Sequence, residues 1–299
     1  MLLIVGTIPV KDLPLIMGKV RAEGKSLVID GYRIPHIQGT GATIGAALAT
    51  TDYLKLEAPH ALVAGDIGEG KDKGSQKIYE YLIANVAKIS PRVLALHYCL
   101  PVMALTRRLC QSIRECAKRP FLIADAGSMY AAKAAGLATE FDIFTPDATE
   151  IAFLADPNAT HPAYIARHFF DTDVAQTPRL AAIAYQNKSA AKLLLVKGAI
   201  DYVVRDGKIL DTITEPYVPA LEAIGGTGDT ITGIVSAFAY AGLEPHEAAV
   251  IAARANRMAG KFSHATPTTR VGQIIEQFPA VFKEYLCNWS GVCYIEGGN

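Results

Sequence analysis

Ile224-Gly225-Gly226-Thr227-Gly228-Asp229-Thr230-Ile231-Thr232-Gly233 runs directly into a strongly apolar segment ending at Ala241. Composition and spacing predict a helix over Gly228–Ala241 that starts in a glycine-rich turn. Glycines let a backbone approach a ligand closely and adopt positive φ. The first N–H groups of a helix have no internal partner, and the helix dipole adds partial positive charge beside them. Such a turn therefore suits a phosphate. An aspartate in its middle opposes an anion. It makes chemical sense where a carboxylate must take a proton from a hydroxyl next to that phosphate. The plainer alternative is a helix start capped by Thr227 or Asp229.

Upstream of this turn, short β-rich runs alternate with Ala- and Leu-rich helical stretches. Expected strands are Leu2–Val5, Ser26–Ile29, Ala61–Ala64, Arg92–Leu96, Pro120–Ala124, Asp142–Phe144, Lys192–Val196 and Tyr202–Val204. Several are continuous apolar runs, the pattern of strands buried on both faces of a parallel sheet. Expected helices are Gly41–Glu57, Ser75–Lys88, Ala104–Lys118, Met129–Ala134, Thr149–Leu154 and Pro178–Asn187, with Pro245–Ser263 and Val271–Cys287 after the glycine turn. The alternation predicts an α/β fold, a three-layer sandwich around a mostly parallel sheet. Without a Pro/Ser-rich linker, composition shift or repeat, residues 1–299 are expected to form one domain. In such sheets ligands sit beyond the carboxyl ends of the strands, so chemistry is expected in strand-to-helix turns.

Bulk composition narrows the class. Lys+Arg and Asp+Glu both number 29 and hydrophobic residues make up 51%, so a large core is affordable without a basic footprint for nucleic acid or anionic membrane. Met1–Val10 lacks a basic leader, and the apolar stretch Ile231–Leu243 is interrupted by glycines and too short to span a bilayer. A soluble, cytoplasmic protein is expected. Five cysteines without a C-x-x-C read most simply as free thiols, although Cys287 and Cys293 are close enough to pair.

Two other glycine turns invite attention. Gly65-Asp-Ile-Gly-Glu-Gly-Lys-Asp72 nearly spells a phosphate-binding loop, but lacks the Ser/Thr that would ligate Mg²⁺ and carries Asp66, Glu69 and Asp72. A mobile substrate loop containing Gly65, Asp66 and Gly68 is the alternative. Gly39-Thr-Gly-Ala-Thr-Ile-Gly45 is one residue longer than a dinucleotide fingerprint, follows no clean strand, and reads as a substrate-binding helix start with Gly39 and Thr40 near the ligand, or as a packed Ala-rich helix. The seven histidines show no zinc spacing and no G-x-S-x-G elbow occurs, so the histidines are read as structural or exposed.

The glycine turn at Gly225–Gly233 resembles the glycine–aspartate motif of the ribokinase-like superfamily, nearest to its NAD(P)H-hydrate dehydratase and hydroxyethylthiazole kinase branch. Other segments resemble that branch in the same order: Asp125-Ala-Gly127, Phe144-Thr-Pro-Asp-Ala-Thr-Glu150, Leu194-Leu-Val-Lys-Gly-Ala199 and the helix from Ala241 to Gly260. The resemblance covers about Arg119 to Leu286. Departures are Asp147 in place of Asn, Asn256 where dehydratases usually carry His, and the missing His-Pro-Gly-Glu-like run.

The resemblance implies a ribokinase-like fold, ATP or ADP and Mg²⁺ as cofactors, and a small-molecule substrate. It also implies a homo-oligomer, without nucleic-acid or membrane partners. Asp229 would be the catalytic base, with the amides of Gly226, Thr227 and Gly228 as an anion hole. Lys197, Gly198, Thr227, Gly228 and Asn256 would meet the nucleotide. Glu150 with Asp147 would hold a hydrated Mg²⁺. Asp125, Gly39, Thr40, Gly65, Asp66 and Gly68 would face the substrate. The leading expectation is a small-molecule kinase acting on a hydroxyl. The alternatives are a nucleotide-dependent NAD(P)H-hydrate dehydratase and a non-catalytic nucleotide-binding regulator.

Overall fold

Leu2–Ile8 (β1) is buried at every residue except Thr7 and lies at the middle of the sheet. In the computed structural model, which describes residues 1–35, 38–68, 73–159 and 174–291, it pairs in parallel with β5 (His60–Gly65) on one side and β6 (Val93–Leu96) on the other. The parallel run continues through β7 (Phe121–Ala124), β8 (Ile143–Phe144) and β9 (Leu193–Val196). Antiparallel strands close both flanks: β10 (Asp201–Arg205) and β11 (Lys208–Ile213) beyond β9, and β2 (Ile16–Glu23), β3 (Ser26–Ile29) and β4 (Tyr32–Pro35) beyond β5. Among the described residues the order is β11-β10-β9-β8-β7-β6-β1-β5-β2-β3-β4. The chain passes from β5 across β1 to β6, so the strand order reverses at β1, where open α/β sheets bind ligands.

Alternate residues of each strand feed two cores. Ile4, Ala95, Ile123, Ile143 and Leu195 face α1 (Thr40–Tyr53), α8 (Thr227–Ala241), α9 (Pro245–Phe262), α10 (Val271–Ile275) and α11 (Phe278–Ser290). Val5, Leu94, Leu122, Phe144 and Leu194 face α2 (Gly74–Ile89), α3 (Met103–Arg114), α4 (Ala126–Ala134), α5 (Ala148–Ala155) and α6 (Thr177–Gln186). A single turn, α7 (Ala220–Ala223), precedes the glycine turn. Helices thus cover both faces of a mostly parallel sheet, the expected three layers.

Three strands escape the sequence pattern. In β2, β4 and β11 at most two residues per strand are buried, so they lack the apolar runs by which the central strands are recognised. The expected helix Val271–Cys287 is two helices, with Pro279 in the first turn of the second. The cysteine expectation also needs correction. Cys99, Cys110 and Cys116 are free and buried, but Cys287, exposed on the last turn of α11 where a sulfur is accessible, is disulfide-bonded. Cys293 lies outside the described residues. No helix among the described residues is long and apolar enough to cross a membrane.

Candidate active site at the carboxyl edge of the sheet

Three neighbouring parallel strands end on residues of the same parity. His97 follows β6, Asp125 follows β7 and Thr145 follows β8, continuing the faces of Ala95, Ile123 and Ile143. Lys197 follows β9 on the face of Leu195. All four therefore point toward α8, whose first turn carries Asp229. An apolar residue at any of these positions would merely have extended the core.

These side chains form one buried chain of alternating charge. Lys197 Nζ donates to both oxygens of Asp125, at 2.9 and 3.1 Å. His97 Nε2 lies 3.5 Å from Asp125 Oδ2 and 3.0 Å from Asp229 Oδ1. The Thr232 hydroxyl also donates to Asp125, and Thr232 meets the Thr145 hydroxyl at 2.9 Å. On the far side, Asp229 Oδ2 accepts the Gly39 N–H at 2.6 Å, and the Thr40 hydroxyl is 3.3 Å from His97 Nδ1. Gly6 makes this approach possible, since a Cβ there would fall 2.4 Å from Thr40 Oγ1.

Burial alone would penalise each of these charges, so the observed directions report the partners. Burial raises the Asp125 carboxyl, yet Lys197 and His97 hold it well below the ordinary range. Burial likewise works against ionised Asp229, and the hydrogen bond and charge of His97 reverse it to a net lowering. Burial disfavours imidazolium at His97, but Asp125 and Asp229 together raise it to about 9. Lys197, opposed by burial, is raised by Asp125 and Glu150. His97, Asp125 and Asp229 place ligand-type atoms within 4.8 Å of one another, but each of those atoms already has a hydrogen-bond partner here.

Asp229 opens onto a cavity of about 230 Å³. Its floor is the start of α8. Gly226, at φ 102°, is the N-cap, and neither Thr227 nor Asp229 caps the helix through its side chain. The Thr227 hydroxyl is held by the Leu221 and Ile224 carbonyls, and its N–H points at the Ile224 carbonyl, 3.4 Å away. Thr227 is therefore less free as a donor than expected. The amides of Gly228 and Asp229 have no partner among the described residues. These two line the cavity, while Gly226 does not.

The remaining expected residues divide. Lys197, Gly198, Asn256, Asp125, Asp147 and Glu150 all line the cavity. Asn256 accepts the Thr230 hydroxyl at 2.8 Å, and the Gly198 N–H is taken by Asp201. Asp147 and Glu150 form a capping box on α5, with the Glu150 second oxygen bonded by the Tyr130 hydroxyl. Burial and the charge of Asp147 raise the Glu150 carboxyl to about 8. Gly39 and Thr40 stand behind Asp229, outside the cavity lining. Gly65 is wedged against Val10 and Leu13, and Asp66 accepts the Gly68 N–H at 3.0 Å. Neither those two nor Gly68 lines the cavity. Residues 69–72 of that loop lie outside the described residues.

Sequence reading missed His97, Tyr98, Tyr217 and Arg257. Arg257, 5% exposed, clamps Asp201 and the carbonyls of Gly198, Ala199 and Thr214, fixing the loop after β9. Tyr98 and Tyr217 are 49% and 59% exposed and both line the cavity. The available signal for His97 was its place at a strand end equivalent to those of Asp125 and Lys197.

The NAD(P)H-hydrate dehydratase family profile matches residues 92–277, which include every residue lining the cavity. An uncharacterized protein of Methanocaldococcus jannaschii is 39% identical over 243 residues, 81% of this chain and 99% of its own. A bifunctional NAD(P)H-hydrate repair enzyme of Pyrobaculum aerophilum is 34% identical over 109 residues, 36% of this chain and 21% of its own. Among solved structures, the ADP/ATP-dependent NAD(P)H-hydrate dehydratase of Bacillus subtilis, co-crystallized with ATP/Mg²⁺, superposes with a TM-score of 0.53 at 15% identity, covering 94% of this chain and 88% of that one. Phosphofructokinase-2 of Escherichia coli does so at 0.52 and 13%, covering 93% and 98%. The fold is ribokinase-like, and with the profile spanning well over half of its length the chain belongs to the NAD(P)H-hydrate dehydratase family.

Proposed function

We propose that the protein is a nucleotide-dependent NAD(P)H-hydrate dehydratase. The observation that carries this reading is the Asp229 carboxylate standing beside the unpartnered amides of Gly228 and Asp229, at the mouth of a cavity that lies wholly within the matched segment. The expectation of a small-molecule kinase, placed first on sequence, takes second place. The relatives named for their activity are hydrate repair enzymes.

A nucleotide phosphate and Mg²⁺ fit the residues present. Two bare amides at a helix start, with Lys197 on the adjoining wall, suit a phosphate. Lys197 spends two of its three donors on Asp125 and keeps one. Asp147 and Glu150 line the same cavity and suit a cation that keeps most of its waters. When bound, nucleotide and metal supply a transferable phosphoryl group and neutralise its charge.

The chain's own residues then do the following. The Gly228 and Asp229 amides hold negative charge that develops during transfer. Asp229 accepts the proton of the substrate hydroxyl, here the hydroxyl on a hydrated nicotinamide ring. The ring hydroxyl, once phosphorylated, would depart as phosphate, and loss of a proton from the adjacent ring carbon would restore the double bond. Asp125 takes no direct part, because Lys197, His97, Thr232 and the Ala126 N–H fill its roughly four acceptor positions, whereas Asp229 has one contact on each oxygen. Its role is to keep Lys197 and His97 charged and in place.

The test is incubation with hydrated NADH or NADPH, Mg²⁺ and either ADP or ATP, following recovery of the reduced-nicotinamide absorbance. Recovery dependent on nucleotide is expected. Phosphorylation of a panel of alcohols without recovery would restore the kinase reading. Nucleotide binding with no turnover would favour a regulator. Asp229→Asn is expected to lower turnover about 10²–10⁴-fold while leaving nucleotide affinity, measured by calorimetry, nearly unchanged. Substantial residual turnover would remove Asp229 from its assigned role.

A further inference from the structure

No step of the proposed reaction uses His97 directly, yet among the described residues it is the side chain that touches both Asp125 and Asp229. It is completely buried and does not line the cavity. Its Nε2 faces Asp229 Oδ1 at 3.0 Å and Asp125 Oδ2 at 3.5 Å, and its Nδ1 faces the Thr40 hydroxyl at 3.3 Å. The Tyr98 ring packs against the imidazole with centroids 4.7 Å apart. Lys197 reaches the group only through Asp125. The polar and titratable groups that face the ring among the described residues are Thr40 of α1, Asp125 after β7, Asp229 of α8 and Tyr98 after β6.

The placement has a physical consequence. Two carboxylates close together in a buried site repel, and one of them is ordinarily forced to take a proton. An imidazole between them relieves that repulsion only if it is charged. Asp229 then has both oxygens fixed, Oδ1 by His97 and Oδ2 by the Gly39 N–H at 2.6 Å. One oxygen is pulled toward the interior and the other toward the head of α1, which sets the plane of the carboxylate relative to the Gly228 amide. A histidine that only filled space would need no carboxylate on either side.

We propose that His97 is a positioning residue for Asp229, holding its carboxylate ionised and in one orientation, with Asp125 as the counter-anchor that keeps His97 in place. The inference rests on the reading that Asp229 acts on a substrate hydroxyl. Its physical core, the control of Asp229 by His97, can be measured without any turnover. His97 does not line the cavity, so its removal reaches the site through its neighbours, first of all Asp229, whose Oδ1 it faces at 3.0 Å against 3.5 Å for Asp125 Oδ2.

The experiment pairs two readouts on the full chain. In the first, carboxyl-¹³C-labelled aspartate is followed by NMR across pH, the Asp229 signal being assigned by its loss in Asp229→Asn. In His97→Gln the Asp229 titration is expected to move up by about 1–3 pH units, the effect of removing one adjacent opposite charge. In the second, the acidic limb of kcat/KM for hydrate dehydration moves up by the same amount, while nucleotide affinity at alkaline pH stays as in the natural protein. An Asp229 titration unmoved in His97→Gln would overturn the proposal. If the titration moves but the natural protein dehydrates no hydrate, the coupling stands and the proposed reaction falls. The reverse pair of results sinks the coupling and spares the reaction. Should His97→Gln fail to fold, ¹⁵N-imidazole NMR on the natural protein decides. A charged His97 ring at neutral pH is expected, and a neutral one contradicts the proposal. Thr40→Val, which removes only the Nδ1 contact, is expected to shift Asp229 the same way by less.

Discussion

Asp125 carries two jobs in one side chain. Its Oδ1 caps α4 by accepting the Ala126 N–H and also accepts from Lys197, while Oδ2 serves Lys197, Thr232 and His97. A carboxylate has about four acceptor sites, so helix cap and charge anchor coexist in one side chain. Gly226 shows the opposite economy, a residue that matters for what it lacks. Its φ of 102° is one that L side chains rarely adopt, and an added Cβ would sit 3.0 Å from the Gln38 backbone and 3.1 Å from Val271. Gly226→Ala is therefore expected to cost about 1–3 kcal/mol in urea unfolding and to weaken nucleotide binding by turning the Gly228 amide. Unchanged stability would show that the turn tolerates the strain. Asp229 and its glycines were legible because their chemistry is local. His97 was not, since its partner lies 132 residues further along the chain and no spacing rule spans that distance.

At the scale of elements, the site depends on how closely α1 and α8 approach. Gly233 lets the Thr43 carbonyl come so near that an added Cβ would stand 2.2 Å from it and 3.0 Å from Ala46. The Thr43 hydroxyl bonds the Asp229 carbonyl at 3.2 Å, and the Gly39 amide heads the same helix. Gly233→Ala should thus push the helices apart, costing about 1–3 kcal/mol as overpacking does. Turnover should fall further than nucleotide affinity, because the displaced group is the Gly39 N–H rather than the Gly228 and Asp229 amides that line the cavity. A variant with full stability but lost turnover, or the reverse, would separate these two effects and refute their common cause. The Ala-rich stretch after Gly39, ambiguous in sequence between a substrate-binding start and a packed helix, packs as a buried helix whose N-cap amide, that of Gly39, holds the Asp229 carboxylate. Sequence alone could not choose, since small residues serve both purposes.

For the whole molecule, the charged chain across the strand ends sets a pH response. Asp125 and Asp229 are held below the ordinary carboxylate range, so their contribution is present above about pH 4 and is lost as pH falls. His97 is raised to about 9, so its contribution is complete below about pH 6.5 and is lost as pH rises through about 9. Glu150, raised to about 8, and Lys133, lowered to about 8 by burial, titrate in the same window. Both are common to the natural protein and His97→Gln and cancel between them. The stability advantage of the natural protein over His97→Gln, from urea unfolding, is accordingly expected to shrink by about 3 kcal/mol between about pH 6 and pH 10. A constant difference across that range would mean that His97 is neutral in the folded protein.

What the chain determines by itself is whatever can be read within one or two turns of backbone. The buried parallel strands announce themselves as apolar runs, and the glycine turn with Asp229 announces an anion site, because both signals are written in adjacent residues. The edge strands β2, β4 and β11 stayed silent because few of their residues enter a core. Tertiary structure alone decided that β6, β7 and β9 end on one face, bringing His97 against Asp229 with Asp125 and then Lys197 in line behind it. It decided too that the Gly65–Gly68 turn stands away from the cavity. Strand register and helix approach are fixed by packing between distant segments, and electrostatic coupling follows distance in space rather than along the chain.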